Sequence, residues 1–231
     1  VKVLLLGQLL SFGFLLAAWT RNALEASLGA PSGVLQPDSA VVLYTIGMTV
    51  LGDLSVYVIH RLMHRLPVLW AFHSVHHSAT TLSPITQLRL HPVELFLNNL
   101  RALLVFGLLT GTFDYLADSR VSKLTFLGAN VFSFAFFVMG ANLRHSHVRF
   151  PYPHALEHVF ISPLQHQIHH SIAPEHHNRN FGSKFALWDW FFGTLVTSRK
   201  VGRLRFGLKR ASSHPQTLLA ALWRPFRPPT D

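Results

Sequence analysis

Two short runs, HSVHH at residues 73–77 and HQIHH at 166–170, place histidines at offsets 0, 3 and 4. On a helix those offsets share one stripe, so His73, His76 and His77 can point one way, and His166, His169 and His170 likewise. Just upstream, HRLMH sets His60 and His64 one turn apart. Neutral imidazole is a common ligand for zinc, copper, iron and nickel. Eight imidazoles exceed what one ion takes at roughly four- to six-fold coordination, so two ions is the economical count. Spacing alone leaves iron and zinc both open.

The elements that carry these residues look membrane-bound. Of 231 residues 49% are hydrophobic and only 13% charged, with 19 phenylalanines, a balance too apolar for an ordinary soluble domain. The chain has no cysteine, which excludes disulfides, thiolate metal sites, Fe–S clusters and cysteine nucleophiles. Its formal charge of +10 is concentrated late: residues 199–210 hold six Lys/Arg and no acid, and Arg224 and Arg227 follow. Basic residues beside apolar segments mark the cytoplasmic side and meet anionic lipid headgroups. No recognition motif accompanies them, so no nucleic-acid partner is expected. Neither a G-x-G-x-x-G nor a P-loop is present, and no bound dinucleotide or ATP is supported.

Four spans are predicted, at 3–19, 40–60, 93–113 and 121–143, since roughly 17–25 apolar residues cross a bilayer. The first competes with a cleaved signal peptide and is read as a retained helix because more spans follow. Residues 22–39, with Pro31, Gly33 and Pro37, read as a loop. Pro92 suits the first turn of the third span, whose fully apolar part is only 102–109, as though its first half faced protein. Residues 213–224 read as a short capped amphipathic helix at the membrane surface. Even-numbered spans return to one side, so both triplets emerge on one face, which Arg61, Arg65, Arg144 and Arg149 mark as cytoplasmic.

The spans also carry polar stripes toward that face. Asp53, Tyr57, His60 and His64 fall within about 60° of one another on a helix. Aspartate within a span is costly unless functional or paired, so Asp53 and Tyr57 are read as orienting the ligands or lining a substrate channel. His91, Glu94, Asn98 and Arg101 recur at helical offsets along the third span, and Asn142 shares a face with His145. Glu94, Asn98, Arg101 and Asn142 join the supporting set, and His145 is the best addition to the ligands, ahead of His147. Lone histidines such as His91, His154, His158 and His214 are ordinarily hydrogen-bonded structural residues. HALEH at 154–158 matches the H-x-x-E-H pattern of inverted zinc peptidases through His154, Glu157 and His158, a short match in a chain with 16 histidines.

Between Asp53 and Thr197 the stretches DLSVYVIHRLMH, LWAFHSVHHSA, TQLRLHPVE, HSHVRFP, SPLQHQIHHS and NRNFGSKFALWDWFFGT resemble the fatty acid hydroxylase superfamily, the sterol desaturase-like integral membrane di-iron enzymes. The last stretch, with Trp188, Asp189, Gly193 and Thr194, is characteristic. The resemblance implies an all-α integral membrane bundle of about four transmembrane helices under a cytosolic histidine-rich helical cap. The whole chain, 1–231, is then one membrane domain, with the cap at 61–91 and 144–197 and a basic amphipathic tail at 198–231. His60, His64, His73, His76, His77, His166, His169 and His170 match the family's iron ligands, and His145 matches the histidine of its HSN box. His147 replaces that box's asparagine, and Ala141 stands where some branches have a histidine, so His91, His176 and His177 are further ligand candidates.

The implied cofactors are two iron ions, with zinc able to occupy the same imidazoles, and O2 as co-substrate. The implied reaction is hydrogen abstraction from an unactivated C–H bond of a lipid, followed by return of oxygen as an alcohol. Loss of a second hydrogen would make it a desaturase. Electrons must come from a separate ferredoxin, cytochrome b5 or reductase, and the basic tail could dock that donor or anionic lipid. The expected location is multi-pass, in a bacterial inner membrane or the endoplasmic reticulum, with the histidine cluster and C-terminus cytoplasmic. A bis-histidine haem or metal carrier is the non-enzymatic rival; it predicts histidine pairs inside opposed spans.

Overall fold

The computed structural model describes residues 2–31, 33–122, 124–126, 129–199, 201–208 and 217–226, with backbone alone for 2–10, 125, 126 and 129. Lys123, Lys200, Lys209, Arg210 and Arg227, and the expected first residues 213–216 of the tail helix, lie outside the described residues. The regular elements of the described chain are helices apart from a two-residue antiparallel pair, β1 (Thr125–Phe126) with β2 (Ala129–Asn130), and two isolated bridges, Phe160 with Phe185 and Ser171 with Phe206. It divides into two compact units: Val1–Ser55 with Asn99–Ala135, and Val56–Asn98 with Phe136–Asp231.

The first unit contains α1 (Lys2–Leu28), most of α2 (Pro37–Arg65), most of α4 (Pro92–Leu116) and the β pair. Helix α1 runs beyond the expected 19 to Leu28, so much of the predicted 22–39 loop is helical; Gly29, at φ 91°, then turns the chain out of the helix. Small residues let α1 and α4 approach closely. A Cβ at Gly107 would stand 2.7 Å from the Leu16 side chain, and one at Gly111 would collide with the Ala17 carbonyl. Tyr44 and Thr110 share a buried hydroxyl–hydroxyl bond of 2.7 Å between α2 and α4.

Among the described residues two helices, α2 and α4, are long and apolar enough to cross a membrane. Their apolar windows are only 28% and 22% buried, unlike the core helices of a soluble protein, which bury such surface. The predicted fourth span is overturned. Residues 121–143 hold the β pair and α5 (Val131–Val138), whose eight residues rise about 12 Å where the hydrocarbon core needs about 30 Å. The stretch is apolar enough, but its caps divide it. Asn130 Oδ1 accepts from the amides of Phe132 and Ser133 and starts the helix. Gly140, at φ 99°, follows its end.

The second unit positions the histidines. Pro67 holds Leu66 extended (φ −94°, ψ 118°) and occupies the first turn of α3 (Pro67–His77), separating that helix from α2. Helix α6 (Pro163–His169) starts at a capping box: Ser162 Oγ accepts from the Gln165 amide (3.1 Å), and Gln165 Oε1 accepts from the Ser162 amide (2.9 Å). Every residue of α6 is buried. Helix α7 (Leu187–Phe191) follows, and Thr217 caps α8 (Leu218–Trp223). The tail helix therefore begins at 218 in the described residues, and its Leu218, Leu219 and Trp223 are exposed.

Candidate metal centre

Nine histidines converge in two sets. The larger holds His60, His64, His73, His77 and His169; the smaller holds His76, His145, His166 and His170. Within each set, one ligand nitrogen per residue lies within 4.8 Å of the others. All nine belong to the second unit. Helix geometry explains how two triplets serve both sets. Offset 4 turns about 40° one way from offset 0 and offset 3 about 60° the other, so the stripe is wide enough to straddle two centres. Thus α3 gives His73 and His77 to the larger set and His76 to the smaller. The second triplet reverses this, giving His166 and His170 to the smaller set and His169 to the larger. His60 and His64, one turn apart on α2, complete the larger set. The sets adjoin where the rings of His77 and His170 stack at 4.4 Å.

Three imidazoles of the larger set are held from behind. His60 Nδ1 lies 2.9 Å from the Phe181 carbonyl and His169 Nδ1 2.8 Å from the Arg179 carbonyl. His73 Nδ1 lies 2.8 Å from Glu94 Oε1. These acceptors require Nδ1 to carry the proton, which leaves each Nε2 lone pair facing inward. The Nε2 atoms of His64, His73, His77 and His169 are buried and have no partner. In the smaller set His145 Nε2 lies 3.2 Å from His76 Nε2 and 3.1 Å from both His166 Nε2 and His170 Nε2. One nitrogen cannot hydrogen-bond usefully to three others. Nitrogens bound to one ion at about 2.0–2.1 Å stand about 2.9–3.4 Å apart, and these spacings fall in that range. The residues present fit metal ions in both sets.

Burial keeps the imidazoles neutral, as ligation requires. Desolvation drives His76, His77, His166, His169 and His170 well below the ordinary histidine range, and neighbouring imidazoles add to the effect. His73 is lowered to about 3 by desolvation. His145 is also lowered to about 3, by desolvation first and then by His76 and Arg144.

The other expected residues divide. Glu94 lies against His73, as above. Asn98 lines a cavity with Glu94 and five of the histidines. Tyr57 is buried, stacks on Phe192 at 5.4 Å and bonds Thr194 Oγ1 at 3.1 Å, so it braces the loop behind His60 and does not itself face a histidine set. Asp53 and Arg101 belong to the first unit, where Arg101 donates to Ser55 Oγ (2.7 Å) and feels the Asp53 charge. Asn142 is exposed: the helix assumed to carry it beside His145 has ended at Gly140, and Ala141–Leu143 is a 3-10 turn.

The further ligand candidates join neither set. His91 uses both nitrogens, one near the Leu222 carbonyl (3.2 Å) and one accepting from the Val93 amide (3.1 Å). His176 and His177 sit on a separate 3-10 turn, with His177 exposed near the Ile172 carbonyl. The peptidase pattern has a structural role. Glu157 is buried and spends its oxygens on Ser162 Oγ (2.7 Å) and the Ser198 amide (2.8 Å), while His154 is exposed.

One group that matters here carried no assigned role in the sequence. Asp189, fully buried, accepts from the Phe181 amide (2.8 Å), the Gly182 amide (2.7 Å) and Thr194 Oγ1 (2.6 Å). It thereby fixes the loop whose carbonyls hold His60 and His169. A Cβ at Gly182 would come within 2.9 Å of Asp189 Oδ2, so the glycine keeps that cradle open. Asn180, at φ 55°, ties the same loop to the Gln165 and Val196 carbonyls. The only signal was the WDWFFGT stretch itself.

The chain is 28% identical over 178 residues to the ornithine lipid hydroxylase OlsE of Rhizobium tropici, covering 77% of this chain and 48% of that protein. It is 28% identical over 148 residues to the alkylglycerol monooxygenase of Caenorhabditis elegans, covering 64% of this chain and 26% of that one. The chain thus spans about half the length of the first and about a quarter of the second. No solved structure matches it. The family model described as fatty acid hydroxylase matches residues 45–194, which include all nine converging histidines, and over that stretch, more than half its length, this chain belongs to the fatty acid hydroxylase family.

Proposed function

We propose that this chain is a membrane-bound di-iron oxygenase that hydroxylates an unactivated C–H bond of a lipid, using O2 and electrons from a separate protein. The observation that carries the reading is the convergence of nine largely buried imidazoles into two adjoining sets within a chain of this family. His60, His64, His73, His77 and His169 would hold one iron, and His76, His145, His166 and His170 the other. When bound, the pair supplies O2 activation and hydrogen abstraction. The chain's own part is to present nine nitrogens in fixed tautomers, exclude bulk water and place one C–H bond near them. Asp189 and the Arg179 and Phe181 carbonyls serve the first of these tasks, and the burial of α6 the second.

A lipid substrate is favoured by the apolar, largely exposed faces of α2 and α4, and α2 carries His60 and His64 in its last turns. The arginines at the end of α2 support a cytoplasmic position for the site, in a bacterial inner membrane or the endoplasmic reticulum. Exposed Arg199, Arg203 and Arg205 suit an acidic electron donor, and exposed Leu218, Leu219 and Trp223 of α8 suit an interfacial helix against anionic lipid. A haem carrier fits poorly, because nitrogens 3.1–3.2 Å apart leave no gap for a macrocycle. The test is lipid mass spectrometry of cells expressing the wild-type chain or His169→Ala. A lipid that gains one oxygen only with the wild type supports hydroxylation. Loss of two hydrogens would move the reaction to desaturation, and an unchanged lipidome would refute both.

A further inference from the structure

A cavity of about 190 Å³ opens against the histidines, touching His60 and His73 of the larger set and His76, His145 and His166 of the smaller. Its remaining wall mixes Val56, Met63, Leu90 and Gly182 with polar Gln87, Glu94, Asn98 and Ser183 and the cationic Arg144. That volume takes about six water-sized groups, enough for the reacting segment of a lipid but not for its chains.

Glu94 is the anomaly in this wall. It is only 3% exposed, and Oε1 is committed to His73 Nδ1. Oε2 is buried with no partner. An unpaired carboxylate oxygen costs on the order of 1–3 kcal/mol or more, so the site is complete only when something in the cavity donates to it. Asn98 follows one turn later on the same face of α4 and adds an amide to that wall. Saturated chain carbons can answer neither group. We infer that Glu94 Oε2 is a substrate-recognition atom: the bound lipid carries a hydrogen-bond donor, a hydroxyl or an ammonium group, beside the C–H bond presented to the histidines. The oxidised carbon then lies next to a polar group and not deep in an acyl chain. The substrate role rests on the oxygenase reading; the binding preference does not.

The experiment measures binding without turnover, in the detergent-purified full chain held anaerobic and without reductant. Two probe pairs share one short alkyl tail: an alkylglycerol against its O-methylated form, and an alkylammonium against its trimethylammonium form. The wild type is expected to bind at least one donor-bearing probe about tenfold or more tighter than its methylated partner, and the pair that discriminates identifies hydroxyl or ammonium. Glu94→Gln keeps an oxygen for His73 but can turn its amide hydrogens to the cavity, so the preference should collapse while metal content holds. Asn98→Ala, which leaves the carboxylate in place, should lower the preference several-fold. Equal affinity within both pairs for the wild type, or a preference undiminished in Glu94→Gln, overturns the assignment. Donor-selective binding without any oxidised lipid product would uphold the assignment and refute the oxygenase reading.

Discussion

The larger set, His60, His64, His73, His77 and His169, and the smaller, His76, His145, His166 and His170, draw on the same two triplets but are supported differently. In the larger, three rings rest on acceptors fixed elsewhere in the fold: two loop carbonyls and the Glu94 carboxylate. In the smaller, His76 Nδ1 and His166 Nδ1 are buried with no partner, and the Nε2 atoms crowd to 3.1–3.2 Å around His145. Three ligands of the larger set are preorganised by hydrogen bonds behind them; the smaller set relies more on burial, with His76 also close to backbone groups of Thr86 and Arg89. An ion in the smaller set would also have one imidazole fewer, hence more room for an exchangeable ligand. The two centres should therefore respond unequally to the same kind of damage.

The largest effect is expected from ligand removal, and it should be unequal. His145→Ala leaves three imidazoles in the smaller set, whose affinity should fall the more, with a loss of up to about one ion per chain. His64→Ala leaves four in the larger set, which should keep its ion with weakened affinity. Elemental analysis of purified variants reads both. Equal losses would break the distinction. Next comes Asp189→Asn, which removes one acceptor from the Phe181–Gly182–Thr194 cradle and loosens the carbonyls behind His60 and His169. Affinity of the larger set should drop about 10–100-fold, with the smaller retained. A chelator titration that resolves two release steps would show only the first moving.

These expectations also mark what could be read from the sequence. Helical period alone brings the triplets and the His60–His64 pair to stripes, because offsets of 3 and 4 fix side-chain direction whatever surrounds the helix. The period does not say that one stripe divides between two centres, since that depends on what faces it. Asn142 was expected beside His145 because hydropathy continued a helix that Gly140 had already ended. The same blindness to caps produced the fourth span. The acceptors behind His60 and His169 are backbone carbonyls, which every residue possesses and no sequence pattern advertises. Asp189 showed only as part of a familiar stretch.

Acid should not separate the two sets. His73 and His145, one from each, are both lowered to about 3 by burial. Their folded-state values lie below the unfolded histidine value of about 6.5, so the unfolded chain binds more protons between those limits. Stability of the metal-free protein is therefore fully present above pH about 6.5. It falls toward pH about 3 by roughly 1.4 kcal/mol per pH unit for each such group. Bound ions should shift the loss to lower pH, because they compete with protons for the same nitrogens. Thermal melts of metal-free and loaded protein from pH 7 to 4 would show this. A smaller set that released its ion well before the larger would mean that hydrogen bonding behind the ligands, and not burial, governs proton competition.

The smallest expected effect tests where the comparison stops. His91 lies on the approach to α4, among histidines that read alike in the sequence, yet both its nitrogens are engaged by backbone groups. Its ring packs at 4.8 Å from Phe72 and 6.2 Å from Phe226, and its Nε2 meets the Leu222 carbonyl, so it fastens the tail helix α8 to α3. Arg224, donating to Ser74 Oγ at 2.9 Å, holds the same tail. Because that second tether remains, His91→Ala should cost about 1–2 kcal/mol, the scale of one hydrogen bond with its local packing. Limited proteolysis should cut the tail faster, while metal content stays that of the wild type. If an ion is lost instead, the backbone carbonyl is standing in for a ligand contact, and the division of nine histidines into five and four would have to be redrawn.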